Sequence, residues 1–342
     1  MAKENTPCET VVLPDLEISA EPIEKGGASA TIRGGLNFAF GSFQSFYALT
    51  FIPSTTSSAI SWIGTIQSWL LIAAGLISGP LFDMGFFRSM VVIGTFFSVL
   101  GFMMLSLSRE YYAIFLSQGV TMGLGFGLLY VPTVALISRR FSQNRAVALG
   151  VATSGAPAGG IIYTLIFNQL IAGMGFAWTV RIMAFIMLAL FVLAGLLLAL
   201  EANLVTNQSA DQRRRLFDNR ALRDLPFWSF TASNFLIYLG YITPYYYIPT
   251  FAQTQLHASR SAGSYILMGS QAASIVGRVL TTVFAHRFGS MISWVICCIL
   301  SGILCLAWIS ADSILRFVLF VAFYGKTFHR VYAEGIMADS TT

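Results

Sequence analysis

The feature that most constrains this chain is a repeat of apolar blocks, each close to the length of a bilayer crossing and separated by short polar turns. The blocks fall at 34–52, 60–78, 89–108, 113–137, 146–170, 177–200, 227–251, 262–285 and 290–310, with a partial tenth from 313. About 20 helical residues, rising ~1.5 Å each, cross a hydrocarbon core of ~30 Å. Of the 342 residues, 56% are hydrophobic and only 10% are charged, where a soluble domain carries roughly a quarter. No water-soluble core absorbs that much apolar surface. A membrane barrel would instead show weak alternation over about ten residues. The pattern predicts an all-α, polytopic membrane bundle.

Charge orients the blocks. If residues 1–33, an acidic tail, lie in the cytosol, the turns on that side carry Lys3, Lys25, Arg33, Arg88, Arg139, Arg140, Arg145, Arg213, Arg214, Arg215, Arg220, Arg223 and Arg287. The opposite turns carry Arg109 and Arg260. That bias predicts a cytosolic amino terminus. The tail has neither a basic start nor an apolar run, so it does not read as a cleaved signal. The one long polar connector, 201–226, separates six blocks (34–200) from a second set (227–325), and a polar tail occupies 326–342. The net charge of +5 follows from loop bases and calls for no nucleic acid. Cys8, Cys297, Cys298 and Cys305 indicate neither a disulfide framework nor a metal site.

Two stretches carry recognisable chemistry. GPLFDMGFFR, residues 79–88, is the turn after the second block. Gly79 and Gly85 permit a tight reversal, and Asp83 can pair with bases on neighbouring loops, Arg139, Arg140 or Arg145, in one conformational state and release them in another. The alternative is a solvated turn obeying the charge bias. The second-half counterpart AHRFG, 285–289, keeps Arg287 and Gly289 without the acid. Further on, Gly119, Gly123, Gly125 and Gly127 precede Pro132, an SRRF turn with Arg145 following, and Ser154-Gly155 ahead of Gly159-Gly160. Glycines at this spacing let helices approach closely, and packing is their expected role.

Together with 57–71 and 176–185, these motifs resemble the major facilitator superfamily, in particular the monocarboxylate-porter branch and its fungal members. The resemblance spans about residues 36–325. It implies two helical halves rocking about a midplane site, with Gly79, Asp83, Gly85, Arg88 and Arg145 governing conformational exchange. The cargo it implies is a small organic acid or an exported secondary metabolite.

Polar residues inside the blocks are costly in hydrocarbon and therefore informative. Gln271, Ser274 and Arg278 follow at spacings of three and four and share one helix face. Arg278 would either clasp a substrate carboxylate or serve locally, snorkelling or meeting a backbone carbonyl. Animal members of the family carry an acid one turn before this arginine; Ser274 stands here, so the sequence points to facilitated diffusion. Arg181, near a block edge, reads as snorkelling. Asn234, Tyr238, Tyr241 and Tyr245 form a stripe that would line a cavity, although Tyr245 to Tyr247 also suit an interfacial aromatic belt. Asn37, Phe40, Gln44 and Tyr47 form a second stripe, lining a cavity or buried in interhelical hydrogen bonds.

No catalytic acid, nucleophile–base pair or histidine cluster falls within the blocks, so an enzyme is not expected. No cofactor is implied. The partners expected are the lipid bilayer, a small organic anion or metabolite, and a second copy covering missing helices, because Ile314–Gly325 gives only 12 residues before polar sequence resumes. That end predicts a truncated second half, so a non-transporting homologue stands as the alternative to a plasma-membrane carrier.

Overall fold

The structure, a computed structural model, describes residues 35–140, 145–200, 225–288 and 290–338. All regular elements among these residues are helical. In chain order they are α1 (35–46, extended by a π-helical turn at Tyr47–Phe51), α2 (Ser57–Ala73) and α3 (Gly75–Asp83). Next come α4 (Phe87–Leu107), the short α5 (Tyr111–Ile114), and α6 (Met122–Arg140), reached through a π-helical stretch at Phe115–Thr121. α7 (Arg145–Leu200), α8 (Leu225–Tyr241), α9 (Thr243–Thr254), α10 (Arg260–Phe288), α11 (Ser290–Ala307) and α12 (Ile314–Ala338) complete the chain.

Four segments have the length and hydropathy to cross a membrane: Ser57–Asp83, Phe87–Leu107, Tyr111–Ile137 and Gly150–Leu196. The last has 47 residues, roughly 70 Å of helix, more than two crossings. It breaks where the sequence predicts a turn, at Gly175, whose φ of 72° and ψ of 174° lie outside the helical region and suit glycine. The surface is apolar and the interior carries the polar groups. Leu76, Leu225 and Ile309 are exposed, whereas Gln44, Gln67, Gln118 and Gln271 are fully buried. That inversion fits a hydrocarbon solvent.

Glycine spacing sets the packing of the first half. A Cβ added at Gly119 would meet Ile63 and Ile66, at Gly123 Gln67 and Leu70, and at Gly127 Leu70, Leu71 and Ala74. The ladder therefore seats α6 and its π-helical lead directly on α2. Gly94 and Gly125 do the same for α4 and α6. These contacts favour the packing role over any cargo contact.

Two apolar clusters form. One joins α1, α2, α4, α6 and α7 and takes in Tyr246 from the second half; the other joins α9, α10 and α12 and packs Phe38 from the first half against it. Tyr247 packs against the first cluster as well, so each half lends aromatic rings to the other. α12 differs from expectation: helix does not stop near Gly325 but runs to Ala338. Close packing sustains it, since a Cβ at Gly325 would collide with the Ser270 carbonyl and one at Gly277 with the Lys326 backbone. The tail assigned to 326–342 is therefore helical over most of its length.

Candidate functional site

α1 is enclosed on every side, and it organises the contacts between the halves. It runs antiparallel to α2 through Gln44 Nε2 donating to Ser61 Oγ (2.8 Å) and Ser68 Oγ donating to Asn37 Oδ1 (3.4 Å). Between these pairs, Phe40 rests where a side chain on Gly64 would stand. Toward α6, Tyr47 OH donates to Gln118 Oε1 at 2.7 Å, joining the two π-helical turns. In this conformation the stripe Asn37, Phe40, Gln44 and Tyr47 is engaged in contacts with neighbouring helices.

The second half closes on this hub through α9 and α10. Tyr246 packs edge-on against Phe40, with centroids 4.6 Å apart, and its hydroxyl lies 3.1 Å from Ser68 Oγ. Tyr247 OH lies 2.8 Å from Ser61 Oγ and donates to the Ser57 carbonyl. Tyr245 is buried, sets its ring edge-on to Phe38, and faces Ser270, Ser274 and Arg278. The aromatic-belt reading therefore fails for Tyr245 and Tyr246, which turn inward. The expected stripe is also interrupted. Pro244 lacks the amide that would continue the helix, and the chain breaks at Ile242 between α8 and α9. Asn234, Tyr238 and Tyr241 lie on α8, with side chains outside the described residues.

α7 and α10 form an antiparallel seam. Arg278 donates through Nη1 to the Thr153 carbonyl. Gln271 Nε2 donates to the Phe38 carbonyl at 3.0 Å, and its Oε1 stands where a Cβ on Gly160 would be. Arg260 lies over the rings of Phe46 (5.0 Å) and Phe167 (5.9 Å). Thr153, Gly160 and Phe167 are seven residues apart in turn, two helical turns, so they share one face. Seven-residue steps along α7 bring it against Arg278, Gln271 and Arg260 in reverse order. The predicted trio Gln271, Ser274 and Arg278 is thus brought together and buried, with Arg278 only 4% exposed. Of its two readings, this conformation displays the carbonyl contact.

The turn residues sit apart from this seam. Asp83 closes α3, Gly79 faces Val131 of α6, and Arg88 is exposed in the first turn of α4. Gly85 has φ +85°, so the reading of a glycine-dependent reversal holds there; Gly79 lies inside α3 and takes no part in the turn, because the helix runs on to Asp83. The side chains of Arg139, Arg140 and Arg145 lie outside the described residues. Arg181 is half-buried: its Nε donates to Ser106 Oγ at 3.1 Å and its guanidinium lies over the exposed Trp178 ring at 5.1 Å.

Sequence reasoning passed over Ser61, Ser68, Gln67, Gln118 and Tyr163, and gave Tyr246 and Arg260 other roles. Several of these have buried polar atoms with no partner among the described residues: both amide atoms of Gln67, Gln118 Nε2 and Tyr163 OH, together with Gln44 Oε1. Such atoms in a native interior call for a ligand or water. A signal was present in the sequence. Ser61 and Ser68 are seven residues apart on α2, with Gly64 between them. Among the described residues no group of three or more His, Cys, Asp or Glu could hold a metal.

The family model for the Major Facilitator Superfamily matches residues 28–329. The chain belongs to this superfamily. It is 35% identical over 294 residues to the MFS-type transporter dbaD of Emericella nidulans, covering 85% of this chain and 65% of that protein. It is 33% identical over 292 residues to the agnestins efflux protein AgnL12 of Paecilomyces divaricatus, covering 85% and 66%. With the aspyridones efflux protein apdF of Emericella nidulans it shares 29% identity over 337 residues, covering 94% and 67%. The chain thus spans about two thirds of the length of these relatives. These relatives are named as a transporter and as efflux proteins.

Proposed function

We propose that the chain acts as a carrier of the monocarboxylate-porter type, exporting a small organic acid or secondary metabolite across the plasma membrane by alternating access. The amino terminus and the Gly85 turn face the cytosol in this reading, and the Pro53 turn faces outward. One observation carries it. The halves meet along a line of exchangeable polar and aromatic contacts running from Arg260 through Gln271 to Arg278, a line that can part at either end without unfolding a helix. The relatives named as efflux proteins support the direction and the class of cargo. Arg278 would leave the Thr153 carbonyl to meet an anionic group, in a chamber lined by Gln271, Ser274, Tyr245, Asn37 and Gln44 and, on α8, Asn234, Tyr238 and Tyr241. Asp83, with Gly79, Gly85, Arg88 and Arg145, would set the rate of exchange.

The test is flux. Sealed vesicles from cells producing the chain are expected to take up labelled aromatic carboxylates, benzoate and salicylate among them, saturably and with competition between the two. Flux that rises linearly with concentration and shows no competition would mean a pore.

A further inference from the structure

The arginine that sequence analysis counted as a mere loop base on the sparsely charged side is placed by the fold inside a contact. Arg260 begins α10, in the second half, and its guanidinium lies over the faces of Phe46 and Phe167, which belong to α1 and α7 of the first half. A guanidinium over a desolvated ring face is attracted by the ring quadrupole. The seam cannot part at the Pro53 end until this contact breaks.

The contact is also incomplete. Arg260 Nη2 is buried with no hydrogen-bond acceptor, and a buried charged N–H lacking an acceptor is expensive. The aromatic faces hold the cation but leave one of its strongest donors unused. A carboxylate reaching this level offers the acceptor that the rings cannot, in a planar geometry matched to the guanidinium fork. The surrounding rings suit an aryl acid in particular: Phe46 stacks with Phe51 and Phe176 at centroid separations of 5.6 and 5.5 Å. At the opposite end of the same helix, Arg278 is already engaged by the Thr153 carbonyl.

We propose that Arg260 closes the outer end of the seam and that a carboxylate on the cargo draws it off Phe46 and Phe167, so that an acidic cargo opens its own exit. This rests on the carrier reading and its orientation. It assigns to Arg260 both closure and recognition of the anionic group, a role separate from the midplane part given to Arg278.

The experiment reads accessibility rather than flux, so its failure is distinct from failure of the carrier reading. Ser264 is 4% exposed and one turn along α10 from Arg260, on the same side. In a chain whose native cysteines are replaced, Ser264→Cys is labelled on intact cells with an impermeant maleimide. Ser54→Cys, in the exposed Pro53 turn, verifies that the probe reaches this face. Labelling of Ser264→Cys is expected to be slow. It should rise about tenfold with Arg260→Gln and equally with Phe46→Leu plus Phe167→Leu, which keeps the arginine but removes its rings; roughly tenfold corresponds to ~1.4 kcal/mol. Benzoate should raise labelling with Arg260 present and have no effect in Arg260→Gln, while benzamide should do nothing. Unchanged labelling in both variants overturns the closure. An equal response to benzamide, or to inorganic phosphate, overturns recognition of a cargo carboxylate.

Discussion

Gly41→Ala tests whether the two halves are held together by a breakable seam. Gly41 lies on α1, and an added Cβ would stand closer than 3.0 Å to the backbone carbonyl of Tyr245 on α9, with Pro249 Cδ at 3.3 Å and Leu267 Cδ2 at 3.4 Å. All three neighbours belong to the second half. The carbonyl is main chain and cannot rotate away, so α9 must retreat by roughly 1 Å to restore ordinary contact. Overpacking of this kind costs about 1–3 kcal/mol. Because the clash lies between halves, the cost falls on the closed arrangement and disappears when the halves separate. The closed–open equilibrium is therefore expected to move roughly 5- to 150-fold toward open. Gly94→Ala is the matched control. Its Cβ would meet Leu129 Cγ at 2.7 Å and the Gly125 carbonyl at 3.0 Å, both within the first half, so it should lower thermal stability without opening anything. Maleimide labelling of Ser264→Cys in detergent-solubilised protein, read beside the melting temperature, separates the two. If Gly41→Ala and Gly94→Ala both lower the melting temperature and leave labelling unchanged, the seam is ordinary core and the reasoning is wrong.

Arg278→Ala is expected to abolish carboxylate uptake in vesicles while leaving membrane insertion intact, and unchanged uptake would remove the residue from the site. Asp83→Asn should slow exchange between states with little change in cargo affinity; a large affinity loss at normal turnover would count against a gating role. Gly85→Ala should lower stability by about 1–2 kcal/mol, because φ +85° is a left-handed conformation, and an unaltered melting temperature would contradict that account.

Hydropathy alone located the long helices, because in lipid the backbone must satisfy itself within each helix and the apolar length is then dictated by the bilayer. The turn at Gly175, the break before Pro244 and the glycine ladder were all visible as residue types with a local conformational effect. The site was legible face by face: Gln271, Ser274 and Arg278 do lie on one side of α10. What stayed hidden was which helix stands opposite. Helical spacing says that Asn37 and Gln44 share a side, but not that Ser68 and Ser61 meet them. Arg260 looked like loop charge because its aromatic partners, Phe46 and Phe167, lie more than 90 residues away in sequence. The extension of α12 past Lys326 was missed because composition was weighed by polarity, whereas Gly277 and Gly325 let the helix pack against α10 regardless.

The enclosure of α1 also bears on how the molecule is made. Its Asn37, Ser42, Gln44 and Ser45 turn toward protein on every side, so released alone into hydrocarbon it would carry a row of unsatisfied groups. α2 and α6 follow it closely from the ribosome, but α9 and α10 are synthesised some 200 residues later. α1 is therefore fully sheltered only when these late-arriving neighbours emerge, and its polar face needs interim cover during synthesis.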